Sequence, residues 1–316
     1  MSRVGLVLGA GGSVGGAYHA GVLAAIEEAT GWKPDSAEII AGTSAGSIVA
    51  AWLRAGLSAA DLANLSLRKP LSAGGAALVA RSGPRTRLAT PGPQHADLVH
   101  GPASASLLLN PWGVRLGAIA AALLPAGTVS TEAIAAGVRA LYGTRWPKRP
   151  TWICAVCLDD GRLAAFGRPG APHATMAEAV AASCAIPAYF QPVVIGGRRY
   201  VDGGSHSVTN ADLLADAGID LVIVSCPMGA TLDAVAMGID LPLRAAVRAR
   251  LSREVAKLRR AGAAVVTLQP TREVRAAMGN NPMDARRGPA VTRSAHQSTL
   301  LRLKEDDVRE RIAGLA

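Results

Sequence analysis

Gly42-Thr43-Ser44-Ala45-Gly46 stands between a β-branched run, Glu38-Ile39-Ile40, and an apolar pattern at helical spacing, Ser47-Ile48-Val49-Ala50-Ala51-Trp52-Leu53. A strand that turns into a helix within five residues commits its surroundings to an α/β arrangement, because the helix must fold back over the sheet that the strand belongs to. The glycines let backbone crowd a sharp turn, and such a turn pushes the central hydroxyl outward. Ser44 is therefore a candidate nucleophile. The plainer alternative is a tight strand-to-helix turn with Ser44 as its N-cap.

An earlier unit has the same form. Arg3 to Leu8 reads as a short buried strand, Gly9-Ala10-Gly11-Gly12-Ser13-Val14-Gly15-Gly16 as a glycine loop, and Ala17 to Ala29 as a helix that stops at Thr30-Gly31. Such a loop aims backbone N–H groups at one spot beside a helix N-terminus, where an anion is stabilised. That anion could be a dinucleotide pyrophosphate or the oxyanion of an acyl-transfer intermediate. The glycines at 9, 11 and 15 leave the interval to the third one residue too long for G-x-G-x-x-G. The acid expected at the end of the second strand of a dinucleotide fold is also missing, and Gly42-Thr43-Ser44 occupies its place.

Further along, Thr151 to Cys157 and Leu163 to Phe166 read as strands joined through Asp159-Asp160-Gly161. A capping box at Thr175-Met176-Ala177-Glu178 opens a helix that runs to about Ser183. Ile195-Gly196-Gly197-Arg198 is a hairpin turn, and the strand after it ends in Asp202-Gly203-Gly204. Asp202 is placed to project into a site; an ordinary Asp-Gly turn is the alternative. Leu221 to Cys226 and Ala263 to Leu268 are unbroken apolar runs of the kind found in a parallel sheet covered on both faces.

The period weakens from Gly56 to about Tyr142. Ser58-Ala59-Ala60-Asp61 caps a short helix, Arg68 to Pro111 has no clear period, and short helices are expected around Val114 to Leu124 and Ser130 to Leu141. This insertion, about 57–142, is a candidate lid or one wall of a substrate cleft, with a surface insertion as the bland reading. The basic part at about 227–316 is expected to be helical, with Met278 to Asp284 and the charged tail from Arg302 to Arg311 at the periphery. No repeat or linker divides the chain, so a single domain over residues 1–316 is expected.

The net charge of +10 raises the question of partners. With only 3% aromatic residues and no binding motif, nucleic acid is not expected. The densest cluster is Arg244, Arg248, Arg250, Arg253, Lys257, Arg259 and Arg260, relieved only by Glu254. It reads as a solvated helix face or as peripheral contact with an anionic membrane surface. Cys154, Cys157, Cys184 and Cys226 lie in apolar runs and read as buried thiols, without the second ligand pair that zinc would need. The chain has no apolar stretch long enough to cross a membrane, and Met1-Ser2-Arg3 leads directly into the first strand. A cytoplasmic location is expected, with peripheral attachment at the inner membrane face left open.

The glycine loop, Gly42-x-Ser44-x-Gly46 and Asp202-Gly203-Gly204 together resemble the patatin-like phospholipase family. Ala181 to Pro187, followed by Phe190-Gln191-Pro192-Val193, resembles that family's approach to its catalytic aspartate. The resemblance covers roughly residues 3–56 and 150–226, in the family's order. It implies a three-layer α/β/α sandwich with a mainly parallel sheet, related to the α/β-hydrolases. It also implies a serine lipid acyl hydrolase of phospholipase A, lysophospholipase or esterase type, acting through an acyl-enzyme without metal or cofactor. Carried over residue by residue, Ser44 is the nucleophile, Asp202 its base, and the N–H groups of Gly11, Gly12 and Ser13 the oxyanion hole. Val14 stands where many members have Arg or Lys, which removes a positive charge but no backbone donor. His206 would give a Ser-Asp-His order, yet an acid and a histidine four residues apart on one loop orient each other poorly. His19, inside the first helix, is the other nearby histidine. The alternative to a hydrolase is a catalytically weak relative that binds lipid or a membrane surface.

Overall fold

The computed structural model describes residues 2–83, 124, 126–231 and 241–315. Its sheet has the strand order β5-β6-β3-β2-β1-β7-β8, with β4 paired to β3 beside that path. The parallel centre is β1 (Val4–Leu8), β2 (Ile39–Thr43), β3 (Thr151–Cys157), β7 (Leu221–Ser225) and β8 (Ala264–Leu268). The antiparallel edge is β4 (Leu163–Phe166), β5 (Val193–Ile195) and β6 (Arg198–Asp202). This is the mainly parallel α/β sandwich that the apolar runs predict.

The period of two along each strand explains why the sheet is covered on both sides. Leu6, Leu8, Ile40, Ile153 and Ile223 enter one apolar cluster, whereas Val7, Ala41, Trp152, Val222 and Val224 enter the other. The first cluster is completed by α1 (Gly12–Thr30), α2 (Ala45–Arg54), α3 (Ala59–Leu67), α5 (Glu132–Tyr142) and α6 (Met176–Ser183). The C-terminal helices α8 (Arg272–Met278), α9 (Gly288–Leu303) and α10 (Asp306–Ile312) pack on the same side. The second cluster is covered by the basic helix α7 (Leu241–Arg260) through Val247, Leu251, Val255 and Leu258, and by the short turn Ala211–Leu214. Among the described residues no helix is long and apolar enough to cross a membrane. The four cysteines are buried free thiols.

Three expectations need correction. Helix α4 (Ala73–Arg81) lies inside the stretch 68–111 that shows no period. Its start is fixed from outside: Ser72 caps Gly75 N–H, while Ser72 itself donates N–H and O–H to the buried Asp61 carboxylate. Glu254 does not relieve charge on a solvated face, because it is only 1% exposed and points into the protein. The segment around Pro282 is not peripheral, since the Pro282 carbonyl accepts Val14 N–H on the first turn of α1. The helix expected at 114–124 falls outside the described residues apart from Leu124, whereas the one expected at 130–141 is α5.

Candidate active site

Register brings the two chemical residues together. Thr43 of β2 is level with Cys154 of β3, and Ala155 of β3 is level with Asp202 of β6. One step past Thr43, Ser44 therefore reaches the level of Asp202 from the other side of β3. Ser44 stands at φ 52, ψ −118, a strained backbone for a residue with a side chain. Its N–H donates to Ser183 Oγ at 2.9 Å, and its side chain acts on the Asp202 carboxyl, whose pKa it lowers. Ser183, the last residue of α6, lies in the Ala181–Pro187 stretch that carries part of the resemblance, but no local pattern marks it as the support of the turn.

The glycines of the turn are required by close approach. A Cβ on Gly46 would lie 2.0 Å from Leu8 O, and one on Gly42 would lie 2.7 Å from Gly46 O. Neither neighbour is a side chain that can swing away. Gly46→Ala is expected to destabilise the protein by about 3 kcal/mol or more, because β1 and α2 must separate to admit the methyl. A urea-unfolding midpoint close to that of the parent would contradict this.

Asp202 is 6% exposed. Burial pushes its carboxyl up to about 6, opposed by the Ser44 side chain and by Gly204 N–H, which donates to Oδ1 at 2.7 Å. Its own N–H is held by Ala185 O at 2.9 Å. The next residue threads a narrow gap, since a Cβ on Gly203 would meet Cys154 O at 2.4 Å.

The glycine loop follows β1 directly. Gly9 N–H donates to Ser225 O and Ala10 N–H to Val208 O, which ties the loop to the neighbouring strand end and to the segment after Asp202. With Val14 N–H taken by Pro282 O, the N–H groups of Gly11, Gly12 and Ser13 remain without a hydrogen-bond partner among the described residues. Three uncommitted donors at a helix start are what an oxyanion would require. Beside them a cavity of about 120 Å³ is lined by apolar residues that include Val14, Pro227, Met228 and Met278, with Arg244 and Asn280 among its walls.

His19 is not arranged as the base, because both of its ring nitrogens are taken. His19 is fully buried, and burial pulls its pKa down to about 4. Its Nε2–H donates to Gly9 O, so Nδ1 accepts the Ser225 hydroxyl, each at 2.8 Å. It is a neutral brace beneath the glycine loop. His206 Nδ1 lies 2.8 Å from Asn210 Oδ1, an acceptor. Among the described residues no cluster of His, Cys, Asp or Glu could hold a metal ion.

A family model described as patatin-like phospholipase matches residues 6–89 and 157–215, which contain Ser44, Asp202 and the glycine loop. No curated protein matches the chain significantly. Among solved structures, the crystal structure of the type III effector protein ExoU aligns with 98% of this chain and 53% of its own, at 18% identity and TM-score 0.37. The chain thus spans about half the length of that protein.

Proposed function

We propose that the chain, whose blocks 6–89 and 157–215 match the patatin-like phospholipase family model, hydrolyses carboxylic ester bonds of lipids through a Ser44–Asp202 dyad. The observation that carries this reading is the strained Ser44 brought by strand register to the level of the buried Asp202 carboxyl.

A serine hydroxyl is a weak nucleophile until an adjacent base takes its proton. In the proposed cycle Asp202, ionised, accepts the proton as Ser44 Oγ attacks the ester carbonyl. The negative charge that develops on the carbonyl oxygen is met by Gly11, Gly12 and Ser13 N–H, donors already oriented before the reaction. Asp202 then returns the proton to the departing alcohol, leaving an acyl-serine. Water, deprotonated by the same carboxylate, attacks that ester, and collapse frees the fatty acid and restores Ser44. The apolar walls of the cavity beside Gly11 suit part of the acyl chain. Neither metal nor cofactor enters any step. The substrate class is a phospholipid, lysophospholipid or neutral lipid ester. The exposed Arg253, Lys257, Arg259 and Arg260 of α7 suit peripheral contact with an anionic lipid surface, on a protein acting in the cytoplasm.

The test is hydrolysis of p-nitrophenyl esters and phospholipid vesicles, with and without chelator, alongside labelling by a fluorophosphonate probe. Activity indifferent to chelator and a single adduct on Ser44 are expected. Because the base must be ionised, kcat/KM is expected to fall below a pH of about 6. A folded protein that binds lipid yet neither hydrolyses esters nor labels on Ser44 would instead be a lipid-binding relative.

A further inference from the structure

Asn210 is fully buried, and its backbone takes φ 51, ψ 32, a left-handed conformation that Asn tolerates better than most residues. Its amide joins segments that the mechanism leaves unconnected. Nδ2 donates to Ser207 O at 2.7 Å and to Thr43 Oγ1 at 3.1 Å, with Gly203 O a longer third neighbour at 3.4 Å. Thr43 immediately precedes the nucleophile, and Gly203 immediately follows the base. The two carbonyls fix which end of the amide carries the hydrogens, so Oδ1 accepts from His206 Nδ1–H.

The loop that presents Asn210 is itself pinned by α7, which packs on the same face of the sheet as the Ala211–Leu214 turn. Glu254, from α7, accepts from Ser207 Oγ at 2.6 Å, from Thr209 Oγ1 and from Ala211 N–H at 3.0 Å. Arg250, one turn earlier on the same helix, donates Nε–H to it at 2.8 Å. Few buried carboxylates are so completely satisfied, and the set spends its bonds on residues 207–211, the segment that carries Asn210.

We propose that Asn210 is a positioning residue that fixes the Ser44–Asp202 separation by bridging Thr43 and the Gly203–Ser207 turn, with Glu254 holding its loop in register. The inference rests on the dyad reading of the site. Ser44 and Asp202 come from strands separated by β3, so their approach depends on how the two strand ends are held; the Asn210 amide ties the residue before Ser44 to the turn that follows Asp202. Displacement on the order of 1 Å can cost about 10²-fold in rate.

The experiment uses the full chain and p-nitrophenyl esters, with Asn210→Gly, Asn210→Asp, Thr43→Val, Thr43→Ser and Ser44→Ala measured together. Glycine accepts the left-handed backbone, and aspartate keeps the shape but loses the N–H donors. Both are expected to lower kcat about 10–100-fold with KM within about twofold. Weakening the approach of Ser44 removes what favours ionised Asp202, so the acid limb of kcat/KM should move to higher pH. Thr43→Val should lose rate where Thr43→Ser does not, and adding Thr43→Val to Asn210→Gly should cost little more. Should Asn210→Gly fail to fold, the Thr43 pair still decides. Unchanged kcat and acid limb in the folded Asn210 variants, or equal rates for Thr43→Val and Thr43→Ser, would overturn the inference while Ser44→Ala remains inactive. Persistent activity in Ser44→Ala would overturn the dyad itself.

Discussion

Ser44→Ala is expected to lower kcat by about 10⁴–10⁶-fold while leaving a folded protein that still binds lipid. Removing the nucleophile closes the acyl-enzyme route. What remains is whatever the three N–H donors and substrate binding supply unaided. The substitution adds no volume, and alanine faces the same unfavourable backbone as serine at φ 52, so the change in stability should be small. Steady-state hydrolysis and a thermal melt on one preparation separate the two effects. A residual rate within tenfold of the parent would remove Ser44 from the mechanism.

Asp202→Asn is expected to lower kcat on a similar scale, about 10⁴-fold, and to make the protein more stable at neutral pH. Burial raises the native-state pKa from 3.8 to about 6, so the folded protein favours the protonated acid. That preference contributes stability which is complete below about 4 and is lost as the pH rises through 6. Above that, the buried charge costs at most about 3 kcal/mol, at 1.36 kcal/mol per unit. Asparagine never carries the charge. Denaturant melts should therefore place the variant above the parent at pH 8 and level with it near pH 4. Equal stability at both pH values would mean that Asp202 is solvated or more fully compensated than its 6% exposure implies. A gain in stability bought with activity is the sign of a group placed for chemistry.

What could be read from the sequence follows from the range over which each residue acts. The Ser44 turn, the glycine loop, the Thr175 capping box and the strand ending in Asp202 are local patterns whose physics is complete within a few residues. Ser183, Asn210 and Glu254 act on partners 139, 167 and 43–47 positions away, and only the strand order brings them there. A lone acid in a basic helix, four residues after Arg250, looks like an exposed i,i+4 pair until the loop it grips is in view. Helix α4 was hidden for a related reason, because Gly74 and Gly75 weaken its propensity while its cap is anchored on Asp61.

The contact of Pro282 with the first turn of α1 bears on how the protein is made. The loop from Gly9 to Val14 leaves the ribosome long before the Pro282 carbonyl that accepts Val14 N–H, which lies 268 positions further along. At roughly 5–20 residues per second, translation reaches Pro282 only after an interval on the order of 15–50 s. Throughout that time Val14 N–H has no protein acceptor, and the groove above the glycine loop is open on that side. A nascent chain therefore carries Ser44 well before the Pro282 carbonyl that completes the first turn of α1.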